Sequence, residues 1–159
     1  MEEKEKFHTV RGYELLNQEK KSLTPAMEDY LEMIYRNSLK DGYVRINTLA
    51  ELLNVAAPSV TNMVQKLSRI GLIDYKKYEL IFLTDRGREI GSFLLQRHLA
   101  IEQFLRNIEA GDELLIETEL IEHSIGDKTL SRIESFNKFF KNNPDIKKAY
   151  IDFLNDNKA

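Results

Sequence analysis

The 159-residue chain is 42% hydrophobic and 31% charged, with three histidines, no cysteine and a formal net charge of -3. This is ordinary for a globular protein with one substantial core; it excludes disulfides and thiolate metal sites, and no apolar run is long enough to cross a bilayer. The start, Met1-Glu2-Glu3-Lys4-Glu5-Lys6, is charged and lacks a following apolar stretch, so the chain reads as cytoplasmic without a secretion signal.

Residues 1–22 form an N-terminal extension in which Phe7, Val10, Tyr13 and Leu16 recur at three-residue spacing, a pattern for a short amphipathic helix despite Gly12. Thr24-Pro25 then reads as an N-cap followed by proline at the first helical position. Met27, Leu31 and Ile34 give that helix one apolar stripe to about Leu39, and Asp41-Gly42 ends it. A second helix is expected from about Asn47 to Leu53, followed by a turn at Asn54-Val55-Ala56. Pro58 opens a third, with Val60, Met63, Val64 and Leu67 inward and Gly71 as its stop. Two apolar segments, Leu72 to Tyr75 and Leu80 to Leu83, flank a polar tip at Lys76 to Glu79 and predict a small β-hairpin. Helix, turn, helix and hairpin in this order predict a winged helix-turn-helix over residues 23–91.

Thr84-Asp85 caps a long helix whose apolar residues Ile90, Phe93, Leu94, Ile101, Leu105 and Ile108 keep a helical period up to Gly111. Three more helices are expected, at Asp112 to Ile125, Asp127 to Lys141 and Pro144 to Leu154. The fold class is therefore mainly α, a winged helix-turn-helix with a small hairpin followed by an all-helical domain at 92–159. Charge divides along the same line. From Arg45 to Ile90 seven basic residues face five acidic ones, whereas from Leu99 to Gly126 seven acidic residues face Arg106 alone. The first stretch suits phosphate and the second suits cations.

In a helix-turn-helix the second helix enters the major groove, and only its outward side chains reach the bases. The period leaves Ser59, Thr61, Asn62, Gln65, Lys66 and Arg69 outward. Gln65 is long enough for a paired hydrogen bond to adenine, Ser59, Thr61 and Asn62 suit phosphates or bases, and Lys66 and Arg69 suit backbone phosphate. The hairpin tip is a weaker candidate, because Glu79 would repel the phosphate that Lys76 and Lys77 attract.

Three pieces of chain offer metal donors at helical spacings: Asp29 and Glu32 three apart, His98 midway along the long helix, and Glu119, Glu122 and His123 at offsets of zero, three and four. Four carboxylates gathered at neutral pH repel one another unless a cation or protons neutralise them. Oxygen-rich ligation with two imidazoles suits Mn(II), and Fe(II), Co(II) and Zn(II) are compatible with the same donors.

The segments Thr24-Pro25-Ala26-Met27-Glu28-Asp29-Tyr30-Leu31-Glu32, Pro58-Ser59-Val60-Thr61 to Met63-Val64-Gln65-Lys66-Leu67, Arg97-His98 and Glu119-Leu120-Ile121-Glu122-His123 occur in order. Together, over about Leu23 to Phe140, they resemble the manganese transport regulators, a branch of the diphtheria toxin repressor family of metal-dependent repressors. The resemblance implies a homodimer with a winged-helix DNA-binding domain and a helical metal-binding and dimerisation domain. It also implies a two-metal manganese site held by Asp29, Glu32, His98, Glu119, Glu122 and His123, and control of metal-uptake genes from operator DNA. The iron-sensing branch typically has methionine at the position of Asp29, cysteine at that of Glu119 and a histidine ligand at that of Leu115, so the chain is similar to the manganese branch at each. It also ends without the SH3-like third domain of many iron-type relatives. Asn62 stands where related manganese regulators often have lysine, Glu79-Leu80 replaces a more usual Arg-Gly, and the leader before Leu23 is longer than in the shortest relatives. The alternatives are an iron-responsive repressor of the same family, a dinuclear metallohydrolase, for which no substrate-pocket motif accompanies the donors, and a metal-independent winged-helix adaptor.

Overall fold

A computed structural model of the chain describes Gly12, Glu14, Leu15 and residues 23–76 and 80–157. The readings made for the rest of the N-terminal extension and for Lys77, Tyr78 and Glu79 at the hairpin tip lie outside the described residues. The elements are α1 (Pro25–Ser38), β1 (Val44–Arg45), α2 (Ile46–Leu53), α3 (Ala57–Arg69), β2 (Ile73–Lys76), β3 (Leu80–Leu83), α4 (Asp85–Asn107), α5 (Leu114–Glu122), α6 (Asp127–Asn142) and α7 (Pro144–Asp156). The chain divides into two compact units, and the division, between Leu95 and Gln96, falls inside α4. Among the described residues no helix is long and apolar enough to cross a membrane.

The first unit is the winged helix-turn-helix. Thr24 caps α1, its hydroxyl accepting the Met27 N–H at 3.4 Å, and Pro25, which has no N–H to satisfy, stands at the first helical position. The turn between α2 and α3 is made by Asn54, whose backbone takes the left-handed conformation (φ 51°, ψ 47°) and closes α2 onto the Ala50 and Glu51 carbonyls. Asparagine is among the few residues with a side chain that tolerate this region, which lets the chain reverse tightly enough for α3 to pack on α2. Leu31, Ile34, Leu49, Val60, Val64 and Leu67 are fully buried beneath the helices, so the inward stripe of α3 lies against the core and its other face is left to solvent.

The sheet has three antiparallel strands in the order β1-β3-β2, with Val44 opposite Ile81 and Ile73 opposite Leu83. The hairpin expected from the sequence is present; β1 is an addition to it. Two residues are too short to show strand alternation, and Val44 and Arg45 are held by pairing with β3.

The second unit is helical. Ile101, Leu105, Leu130, Ile133 and Phe140 form its buried core, extended by the rings of Phe104, Phe136, Phe140 and Tyr150 at centroid separations of 4.3–6.0 Å. A polar clamp ties the end of α4 to α6 and α7. Asn107 donates to Asn137 Oδ1 at 3.0 Å and accepts from Lys147 Nζ at 3.0 Å, while Asn137 donates to the Ala100 carbonyl at 2.8 Å.

Candidate metal centre and nucleic-acid interface

The candidate DNA-reading residues share one helix, α3, whose amphipathic period alone decides which side chains are available. Ser59, Asn62, Gln65, Lys66 and Arg69 are all exposed. Among the described residues neither Lys66 nor Arg69 takes part in an ion pair, so their charge is directed at solvent. Thr61 differs from its neighbours. It is half-buried, and its hydroxyl donates to the Ala57 carbonyl one turn back at 3.0 Å, which leaves it only acceptor capacity outward.

The candidate metal ligands fall in both units, and the geometry of each group follows from its helix. In the first unit, Asp29 is exposed on α1, and Glu32, one turn on, is buried and accepts from Arg36 at 2.6 Å. Burial raises the phenol pKa of Tyr30 above its ordinary value.

In the second unit the centre is Glu122, at the end of α5 and only 1% exposed. His98, itself buried on α4, sits with Nδ1 3.0 Å from Glu122 Oε2. An ionised carboxylate can only accept, so in a bond to ionised Glu122 it is Nδ1–H of His98 that donates. His123, the next residue after Glu122 and half-buried, has Nε2 3.8 Å from Glu122 Oε1. Its Nδ1 lies 3.3 Å from Nη2 of Arg97, a buried arginine on α4. Glu119 stands apart. It is exposed one turn before Glu122 and, among the described residues, makes no hydrogen bond or ion pair with His98, Glu122 or His123.

This donor set fits a divalent cation. A carboxylate withdrawn from water is costly unless something positive compensates it, and two imidazoles with carboxylate oxygens are the donors such a cation takes. Glu102, one turn after His98, is engaged with Arg106 at 2.5 Å on the exposed side of α4. Sequence reasoning assigned no role to Arg97 or Arg36. The helical spacing of Arg36 from Glu32 was available as a signal, whereas Arg97 and His123 are 26 residues apart and meet only through the fold.

Residues 22–80 match the model of the iron-dependent repressor N-terminal DNA-binding domain, and residues 84–150 match that of the iron-dependent repressor metal-binding and dimerisation domain. The chain is 42% identical over 126 residues to the HTH-type transcriptional regulator MntR of Lysinibacillus sphaericus (strain C3-41), covering 79% of this chain and 91% of that protein. It is 40% identical over 126 residues to MntR of Bacillus subtilis (strain 168), covering 79% and 89% of the two chains. Among solved structures, the manganese regulator SloR superposes with a TM-score of 0.64 at 34% identity, over 74% of this chain and 55% of that one, so the chain spans about half the length of that relative.

Proposed function

The chain belongs to the iron-dependent repressor family, a family of DNA-binding transcriptional repressors and not of enzymes, and from that premise we propose that it is a Mn(II)-responsive repressor of metal-uptake genes. In this reading it acts in the cytoplasm as a homodimer on double-stranded operator DNA, with residues 23–91 as the DNA-binding module and 92–159 as the metal-binding and dimerisation module. The observation that carries it is Glu122, a fully buried carboxylate flanked by His98 and His123 in a chain whose other unit presents an amide-rich, basic helix face.

Asp29, Glu32, His98, Glu119, Glu122 and His123 are the proposed ligands of two Mn(II) ions per subunit, Fe(II), Co(II) and Zn(II) being the competitors that the same donors accept. A bound divalent ion would supply the positive charge that lets these carboxylates gather while ionised. His98 suits this role, since one of its ring nitrogens, Nδ1, meets a carboxylate, as the second nitrogen of a metal-ligating histidine commonly does. On DNA, Gln65 is the proposed base reader, Ser59, Thr61 and Asn62 contact bases or phosphates, and Lys66 and Arg69 anchor phosphate. On α5, Leu115, Ile116 and Leu120 are 56%, 54% and 72% exposed, an apolar surface that a second copy would cover.

Fluorescence anisotropy on the chain's own upstream DNA, with and without each divalent metal, tests the reading. Mn(II) should strengthen binding to that DNA well above its effect on random sequence. Equal binding with and without every metal would refute a metal-responsive repressor.

A further inference from the structure

Arg97 is 3% exposed and precedes His98 on α4, and its Nη2 lies 3.3 Å from His123 Nδ1. A guanidinium has five donors and no acceptor, so the ring nitrogen that faces it must accept. A neutral imidazole has only one accepting nitrogen. A ring that accepts from Arg97 at Nδ1 is the neutral tautomer with its proton on Nε2, the nitrogen 3.8 Å from Glu122 Oε1.

The same arrangement is incompatible with ligation. A cation bound through Nδ1 would need the lone pair that Arg97 holds. A cation bound through Nε2 would require the ring proton to move to Nδ1, where an N–H would confront the N–H of the guanidinium. In both cases the Arg97 hydrogen bond and a metal bond to His123 exclude one another. Arg36 on Glu32 imposes no such choice, because a carboxylate has two oxygens to share, and the Arg36 side chain is 40% exposed where screening weakens its hold.

We propose that Arg97 is a resident cation that competes with the metal for His123. It holds the imidazole while metal is absent, must release it when metal binds, and so sets the metal concentration at which the protein responds. This rests on the reading of His123 as a ligand. Arg97 is then a positioning residue of the sensor whose effect is opposite to that of a supporting contact, since removing it strengthens metal binding.

The test has two arms. Arg97→Met keeps an unbranched buried stem and removes the donor and the charge. Its Mn(II) dissociation constant by calorimetry should fall about tenfold relative to wild type, the equivalent of one charge-assisted hydrogen bond given up. An unchanged or weaker affinity would overturn the proposal while wild-type Mn(II) binding still upheld the metal centre; absence of Mn(II) binding to the wild type would remove both. The second arm needs no variant. Long-range proton–nitrogen correlation of the histidine rings in the metal-free wild type should show His123 neutral with its proton on Nε2, and the diamagnetic probe Zn(II) should convert it to a metal-bound ring. A proton on Nδ1, or on both nitrogens, in the metal-free protein would overturn the proposal whatever the fate of the variant.

Discussion

Gln65 and Lys66 are neighbours on the exposed face of α3, and the chemistry of their side chains gives them different partners. An amide can pair both edges of adenine, so Gln65→Ala should weaken operator binding by about 1–3 kcal/mol and leave random DNA and Mn(II) affinity nearly unchanged. Equal losses on operator and random DNA would rule out base reading. An ammonium is a point charge that displaces a counterion, so Lys66→Ala should weaken both and flatten the salt dependence by about one unit of slope. Glu122→Ala should abolish Mn(II)-stimulated DNA binding while circular dichroism still reports a folded chain; a full Mn(II) response would sink the proposed cluster. It withdraws the buried carboxylate from His98, so some stability is lost as well, about 1–3 kcal/mol. Asp29→Met together with Glu119→Cys replaces two hard oxygen donors by sulfur, and the ratio of Mn(II) to Fe(II) activation in anaerobic titrations should fall. If that ratio holds, these two side chains do not set selectivity. Helical period was enough to find Ser59, Asn62, Gln65, Lys66 and Arg69 on one exposed face, because exposure on an amphipathic helix depends on local spacing. It was not enough for Thr61, whose hydroxyl turns back on its own helix, nor for Arg97, whose partner lies 26 residues away.

The start of α4 shows how an element is fixed by contacts that periodicity does not record. Thr84 was readable as a cap from its place before Asp85, and its hydroxyl does accept the Gly87 N–H at 3.1 Å. Its proton is shared between the carbonyls of Gly71 and Leu72 at 2.8 and 3.1 Å, so the same side chain also ties α4 to the segment that follows α3. Gly87 allows this approach, for a Cβ there would lie 1.8 Å from the Leu72 carbonyl oxygen, a backbone atom that cannot swing away. Gly87→Ala should therefore destabilise the first unit by about 1–3 kcal/mol, as overpacking does, and Thr84→Ala by about 1 kcal/mol, as loss of a cap does. Urea denaturation would rank them, and a Gly87→Ala variant as stable as wild type would show that α4 can shift at no cost. Element ends were less legible than element identity. The acidic pair Asp112-Glu113 was read as a first helical turn and Ile125 as the last residue, yet α5 runs only from Leu114 to Glu122, with Glu113 as an N-cap that makes no side-chain bond. Backbone hydrogen bonding sets those limits, and acidic residues near a start favour a helix without specifying its first residue.

At the scale of the whole molecule the net charge of -3 conceals two stretches of opposite charge, the basic helix α3 and the acidic run from Leu99 to Gly126, so each proposed ligand has a stretch that suits it. The proposed ligands come from both units, Asp29 and Glu32 from the first and His98, Glu119, Glu122 and His123 from the second. A homodimer reads two half-sites only when its two recognition helices are held at the spacing of successive major-groove turns. Metal binding then favours DNA binding by a factor that thermodynamics makes reciprocal. If Mn(II) raises operator affinity by some factor, saturating operator must raise Mn(II) affinity by that same factor. Factors in allosteric proteins commonly fall at roughly 5- to 150-fold, large enough to measure from either side. The experiment is a pair of titrations on one preparation at one salt concentration: operator into protein with and without Mn(II), and Mn(II) into protein with and without operator. Random DNA of equal length in the second titration separates coupling through recognition from simple attraction of the cation to a polyanion, since only the former depends on sequence. Equal factors on the operator, with a smaller one on random DNA, would support a switch in which metal and sequence are read by one equilibrium. A large Mn(II) effect on DNA binding without any operator effect on Mn(II) affinity would mean that the two titrations report different species, and the coupled switch would have to be abandoned.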